Sequence, residues 1–419
     1  MLHFAYRHGG AMAPGISETA AAEAGLNAER LQRVVDHLEH DYVEPQHIAG
    51  CQLAVARRGE LACFASFGHM DLERGRTMAD DTLFRIHSMT KPITSVALMQ
   101  LWERGMFQLN DPVHSVIPAW RGQEVYVSGD DENMITRPAR RPMTFRHILG
   151  HTAGLSYGGS DHPVDKAYQR AGARRGPSET LQTFVDKLAG VPLYYDPGER
   201  WHYSCATDVC GYLVEALSGK PLDRYFEEHI FEPLGMSDTA FSVPESKVGR
   251  LSASYQWQPG GALKVLDDPE TSALRTHPTF FSGGGGLIST TRDYLRFCEM
   301  LCRGGELDGA RILGPRTLKL MTRNHLANGC DMTEIAVGRF AETPYAGVGF
   351  GLGFAMSLDV VGTGGPSASD FYWGGAASTI MWVDPVERLS VVFMTQLMPY
   401  GVFNFRGELK NMIYAAIED

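Results

Sequence analysis

Apolar positions along this chain follow two periods, and the change between them predicts its organisation. Leu31, Val34, Val35 and Leu38 recur at helical spacing behind Asn27, which is placed to cap that helix. Cys51 to Ala56 and Leu61 to Phe67 are short apolar runs on either side of Arg57-Arg58-Gly59-Glu60, the pattern of a β-hairpin. A dense apolar helical run then extends from Ile93 to Trp102, entered through Phe84-Arg85-Ile86-His87-Ser88-Met89-Thr90-Lys91-Pro92, where Pro92 suits a helix start.

Helical spacing continues through the middle of the chain. Leu181, Phe184, Val185 and Leu188 lie behind a Ser178 cap and stop at Gly190; Val209, Leu213, Ala216 and Leu217 form an inward face that stops at Gly219. Tyr225 to Met236 reads as a helix with its stop at Gly235, and a capped helix from Thr291 carries Tyr294, Leu295, Cys298 and Leu301. Near the carboxyl end the period returns to two. Tyr345 to Phe354 and Phe371 to Asp384 each read as a strand, Leu389 to Thr395 as a hairpin partner, and Leu409, Met412, Ile413, Ala416 and Ile417 as a closing helix. Between Arg121 and Gly176 the chain is polar and rich in Gly, Pro and Arg, with a small hairpin over Glu124 to Val127 and Met134 to Arg137; irregular segments of this length often form lids or pocket walls.

Length and composition narrow the class. A chain of 419 residues with 44% hydrophobic composition predicts a soluble globular protein of two lobes. The net charge of -11, without a block of Lys and Arg, argues against nucleic-acid or anionic-membrane partners. Seven cysteines without a regular framework predict reduced thiols and a cytoplasmic setting. Met1 to Ala20 lack an apolar core of signal-peptide length and read as a loose amino-terminal arm.

Chemistry concentrates in a few stretches. Ser88 and Lys91 share one face of a first helical turn, where a lysine of lowered pKa can activate a serine hydroxyl and the helix amino terminus stabilises negative charge. Ser-x-x-Lys alone is common by chance. Gly154 to Gly158 spells G-x-S-x-G around Ser156, but no strand precedes it and no helix directly follows it, so a structural turn is the better reading. His147 and His151 stand four apart without a third ligand, which makes a metal site improbable, and no cofactor is implied. Gly283 to Gly286 lack the lysine of a phosphate loop and read as close backbone packing. Tyr203 precedes a helix and becomes a proton carrier only if Ser88 and Lys91 lie opposite it. Gly374 and Gly375 on a strand edge let a ligand approach, so that the N–H of Ala376 can serve an oxyanion.

Ser88-x-x-Lys91, Tyr203-Ser204-Cys205 and Trp373-Gly374-Gly375 together resemble the serine β-lactamase and penicillin-binding-protein superfamily, in particular its family VIII carboxylesterases related to class C β-lactamases. The resemblance runs from about Leu26 to the carboxyl end and includes Phe84 to Lys91, His147 to Leu155, Pro197 to Ser204, Pro233 to Met236 and Gly284 to Thr290. It implies an α/β (α+β) fold with an antiparallel sheet flanked by helices: an arm over 1–26, a sheet lobe from 27–115 and 280–419, and an inserted, mostly helical lobe over 116–279. It further implies Ser88 as an acylated nucleophile, Lys91 and Tyr203 sharing its proton, an oxyanion hole from the N–H groups of Ser88 and Ala376, and substrate binding along Trp373, Gly374 and Gly375. Cys205 stands where β-lactamases carry Asn, and Trp373 where they carry Lys, which favours neutral, apolar ester substrates over β-lactams. The expected activity is carboxylic ester hydrolysis on a small-molecule substrate. The alternatives are a β-lactamase or D-Ala-D-Ala peptidase, an acyltransferase using the same acyl-enzyme, and a non-catalytic binding module.

Overall fold

Strands from both ends of the chain join one eight-stranded antiparallel sheet in the computed structural model, which describes residues 15–173, 176, 178–337 and 344–419. The strands are β1 (Gly50–Arg57), β2 (Glu60–Asp71), β3 (Arg76–Thr77), β4 (Val348–Phe350), β5 (Ala355–Ser357), β6 (Phe371–Gly374), β7 (Ile380–Asp384) and β8 (Leu389–Met394), in the spatial order β4-β5-β6-β7-β8-β1-β2-β3. The seam between the two chain ends is the β1–β8 pair, registered with Leu53 opposite Phe393 and Val55 opposite Val391.

Period-2 alternation divides these residues between two cores. Leu53, Val55, Trp382, Val391 and Phe393 belong to the core that also contains Leu31 and Val34 of α2 (Ala28–Leu38); Ala54, Ala56, Met381, Val383 and Val392 face the other core. That other core is filled by α3 (Thr90–Glu103), α4 (Ala206–Ser218) and α5 (Thr291–Cys302), while α6 (Phe405–Tyr414) packs beside α2. Because both faces are covered, every residue of β1, β7 and β8 is buried. Helix α3 is buried from Thr90 to Leu101 on all sides: its apolar residues pack all round, and its buried polar side chains Lys91, Thr94 and Gln100 donate to backbone carbonyls or to Ser88.

Several element boundaries differ from the sequence reading, each for a local reason. Thr180, not Ser178, caps the helix Leu181–Leu188, accepting from the Thr183 N–H at 3.1 Å. Tyr225 to Met236 is not one regular helix: Leu222–Phe226 passes through a wide turn over Glu227–Phe231 before Gly235 ends it in a left-handed conformation. Ala216 is exposed on α4. Tyr345 to Phe354 holds only β4, and the chain turns back at Gly351 to Phe354 into β5. Phe371 to Asp384 is a hairpin, with β6 and β7 joined by a turn in which Gly375 N–H donates to Thr379 O at 2.8 Å and Ser378 adopts φ +64°.

Residues 1–14 of the proposed arm lie outside the described residues. The part that follows is well packed: the helix α1 (Glu18–Glu23) buries Ala21, and Ile16 bridges to Cys63 on β2. Arg57 at the end of β1 ties this segment to the other chain end. Its buried guanidinium donates to the carbonyls of Ala24, Gly25 and Glu387 and pairs with Glu387 and Asp419. Arg57→Ala leaves buried carbonyls without donors and is expected to cost about 2 kcal/mol or more, read as a lower urea midpoint. An unchanged midpoint would show that the two termini are held without this side chain.

Candidate active site

A short strand, Phe84–Arg85, pairs with Ile288–Ser289 and delivers the chain into a tight turn over His87–Met89 that runs directly into α3. His87 takes φ +43°, a conformation rarely adopted by a non-glycine residue and held here by its surroundings. Gln396 accepts from Arg85 N–H and donates to Arg85 O, both at 3.1 Å, and Tyr294 OH donates to Met89 O at 2.7 Å. The turn is therefore pinned on both sides of Ser88.

Within it, Lys91 Nζ donates to Ser88 Oγ at 3.1 Å and to Gly284 O at 2.6 Å. Tyr203, just before α4, donates its phenolic O–H to Ser88 Oγ at 2.8 Å. Lys91 Nζ also lies 4.6 Å from the centroid of the Tyr203 ring. Lys91 is only 2% exposed and Ser88 9%. Ser88 and Lys91 from one predicted stretch and Tyr203 from another thus meet at one hydroxyl.

Trp373, Gly374, Gly375 and Ala376 lie beside this centre, though not as an edge strand. Gly375 is in the β6–β7 turn, where a Cβ would stand 2.4 Å from Ile86 O and 2.2 Å from Thr379 Oγ1, so only glycine lets the hairpin approach the turn that carries Ser88. A Cβ on Gly374 would stand 2.8 Å from Arg406 Nη2. Ala376 is half-buried, and among the described residues its N–H donates to no backbone carbonyl. Trp373 is fully buried and packs its ring 5.6 Å from that of Tyr203 and 5.4 Å from that of Phe350. It supports Tyr203 from behind instead of forming an exposed wall.

The other candidates have structural partners. Ser156 Oγ donates to Asp165 Oδ1 at 2.5 Å, its N–H donates to Tyr168 OH, and its carbonyl accepts from Cys205 N–H. His147 belongs to a capping box with Thr144, whereas His151 lies between Ser204 and Thr207 with its ring 4.9 Å from Tyr203. Burial, with the Lys91 charge adding to it, holds the His151 imidazole well below its ordinary pKa, so it backs Tyr203 as a neutral ring.

Three features escaped the sequence reading. Gly284 supplies a backbone carbonyl to Lys91, Asp208 holds the glycine loop, and Tyr157 sets its ring 5.4 Å from Tyr203. Four consecutive glycines and an acidic residue one turn into α4 were the available signals. Beside Tyr157 lies a cavity of about 280 Å³ walled by Gly158, Tyr168, Ala173, Phe184 and Cys205. A larger open depression of about 830 Å³, between Gly122, Glu132 and Pro192, contains none of Ser88, Lys91 or Tyr203.

An antiparallel sheet built from both chain ends, with a Ser-x-x-Lys turn entering a buried helix beside it, defines a serine β-lactamase-like fold. The chain belongs to the beta-lactamase family, whose profile matches residues 35–411. It is 35% identical over 362 residues to "Protein Rv1367c" of Mycobacterium tuberculosis (strain ATCC 25618 / H37Rv), covering 84% of this chain and 86% of that one. It is 30% identical over 410 residues to "Esterase EstB" of Burkholderia gladioli, covering 93% and 97%. The structure of "EstCE1, a hydrolase with promiscuous acyltransferase activity" superposes with a TM-score of 0.75 at 27% identity, covering 92% of this chain and 99% of that one.

His147 also makes the fold pH-sensitive. Burial, then the charges of Arg141 and Arg146, lowers its pKa from the usual 6.5 to about 4. The unfolded chain therefore binds a proton between those values that the folded chain refuses, so stability falls as pH drops from 6.5 towards 4. The contribution at stake is about 2 kcal/mol after solvent screening. Urea unfolding of His147→Gln, which keeps a capping side chain, is expected to show a shallower acid loss than the wild type. Parallel pH curves for the two proteins would contradict this assignment.

Proposed function

We propose that this chain is a serine carboxylesterase hydrolysing short- to medium-chain or otherwise apolar carboxylic esters through an acyl-enzyme on Ser88. The observation that carries the reading is the convergence of Lys91 Nζ and Tyr203 OH on Ser88 Oγ, at 3.1 Å and 2.8 Å. In the reactive protonation state one partner is unprotonated and accepts the Ser88 proton as Oγ bonds to the ester carbonyl carbon. The N–H groups of Ser88 and Ala376 receive the oxyanion. As the carbon–alkoxide bond breaks, the proton passes to the departing alcohol, and water, activated by the same pair, then attacks the acyl-enzyme and frees Ser88. The nucleophile and the oxyanion turn come from the lobe formed by 27–115 and 280–419, while the 116–279 insert supplies Tyr203.

The walls of the neighbouring cavity, which also include Ser156, Tyr157 and Gln169, support a neutral substrate. Tyr168, Ala173, Phe184 and Cys205 offer no charge to a substrate carboxylate. Cys205 puts a small apolar group where an amide would bind a polar acyl substituent. A second reading, acyl transfer to an alcohol in place of water, uses the same intermediate and is favoured by the acyltransferase activity named for EstCE1. With seven cysteines and no disulfide joining any of them among the described residues, we place the enzyme in a reducing compartment, the cytoplasm.

Hydrolysis of a short-chain p-nitrophenyl ester tests the assignment. Ser88→Ala is expected to lose about 1,000-fold or more in kcat, while folded Ser156→Ala retains turnover. The reverse pattern would assign the nucleophile to Ser156 and overturn the mechanism.

A further inference from the structure

We propose that Asp208 is a positioning residue for Lys91, acting through the glycine loop that presents the Gly284 carbonyl to the lysine amine. The proposal rests on the reading of Lys91 as a proton carrier for Ser88. Asp208 is fully buried in the first turn of α4, five residues after Tyr203. Its Oδ1 accepts from Ser282 Oγ at 2.6 Å and from Gly284 N–H at 3.0 Å.

The 283–284 peptide is consequently held at both of its polar ends. Its N–H points to Asp208, and its carbonyl, Gly283 O, accepts from Thr94 Oγ1 at 2.7 Å. A little further on, Leu287 N–H donates to Thr90 Oγ1 at 3.2 Å. Thr90 and Thr94 flank Lys91 on α3, so the loop is registered against the same helix that carries the amine. Gly283 is obligatory in this clamp, because a Cβ there would stand 2.7 Å from Thr207 O and 2.9 Å from Thr94 Cγ2. The next carbonyl, Gly284 O, is thereby aimed at Lys91 Nζ.

The consequence for the reaction is directional. A neutral amine has two N–H bonds and one lone pair. If one N–H is committed to Gly284 O, the amine cannot rotate freely, and the lone pair can be turned toward Ser88 Oγ. When Lys91 carries the extra proton, the same carbonyl stabilises the ammonium. Tyr203, Tyr157 and the neutral His151 also surround the amine.

The test compares wild type, Asp208→Ala, Asp208→Asn, Ser282→Ala and Lys91→Met in ester turnover across pH, with thermal unfolding to establish folding. Asp208→Ala is expected to lose about 10- to 100-fold in kcat with little change in KM, as misaimed catalytic groups do. Its acid limb of kcat/KM should move to lower pH, because an ammonium that loses its acceptor gives up its proton more readily. Asp208→Asn retains an Oδ1 acceptor for both donors and should rescue most of the lost turnover, with the acid limb near its wild-type position. Ser282→Ala removes one of the two donors and should lose several-fold in kcat, about 3-fold or more.

A folded Asp208→Ala with wild-type kcat and pH profile would overturn the proposal. Asp208→Asn as impaired as Asp208→Ala would also overturn it, since charge and not loop position would then be decisive. If Asp208→Ala does not fold, wild-type kcat in Ser282→Ala overturns it. Full activity in Lys91→Met would instead remove the underlying reading of Lys91, whereas loss in Lys91→Met beside unchanged Asp208→Ala would remove only the role of Asp208.

Discussion

The hydrogen bond from the Lys91 amine to the Gly284 carbonyl ties the first turn of a buried helix to a loop 193 residues further along the chain. An amine that is 2% exposed has few ways to satisfy its donors, and here they are met by a backbone carbonyl and the Ser88 hydroxyl. Placing it there requires the surrounding elements to meet closely. Helix α3 must be covered on every side, the glycine loop must come within hydrogen-bonding distance, and Tyr203 must reach across from the start of α4. The apolar sequence from Ile93 to Leu101 supplies the first requirement, and Gly283 the second.

The sheet meets the same centre from the opposite direction. The β1–β8 seam joins the chain ends, and the β6–β7 hairpin extends from it until Gly375 packs on Ile86 O, two residues before Ser88. This approach works because two backbones meet without side chains between them. Behind Tyr203, a stack of Trp201, His151, Phe350 and Trp373 fixes the direction of the phenol. The distances at Ser88 Oγ are thus coupled to packing in both cores.

Much of this was legible in the chain because burial writes a clear period into sequence. The β1–β2 hairpin, the β8 strand, α2, α3, α5 and α6 all follow from apolar spacing, and Ser88, Lys91 and Tyr203 stand out as chemistry beside such runs. The misread segments lack that contrast. Phe371 to Asp384 is buried except at half-buried Ala376, so no exposed polar gap marks its hairpin, and its turn depends on Gly375 and on Ser378 at positive φ instead of Pro, Asn or Asp. Ser178 and Thr180 both suit a helix cap, and only the fold chooses between them. Trp373 was expected along the substrate from its position in a motif, and its burial against Tyr203 and Phe350, distant in sequence, could not be read from that motif. The contribution of Gly284 was invisible for a deeper reason: it is a backbone carbonyl, and the sequence records only that no side chain intervenes.

Whether Ser88 carries the acyl group is decided by mass spectrometry of the protein rapidly quenched during ester turnover. The expected result is a mass increase equal to one acyl group, located by peptide mapping on the segment containing Ser88 and absent from Ser88→Ala. An adduct on any other residue, or turnover with no adduct under conditions where deacylation is rate-limiting, would contradict it.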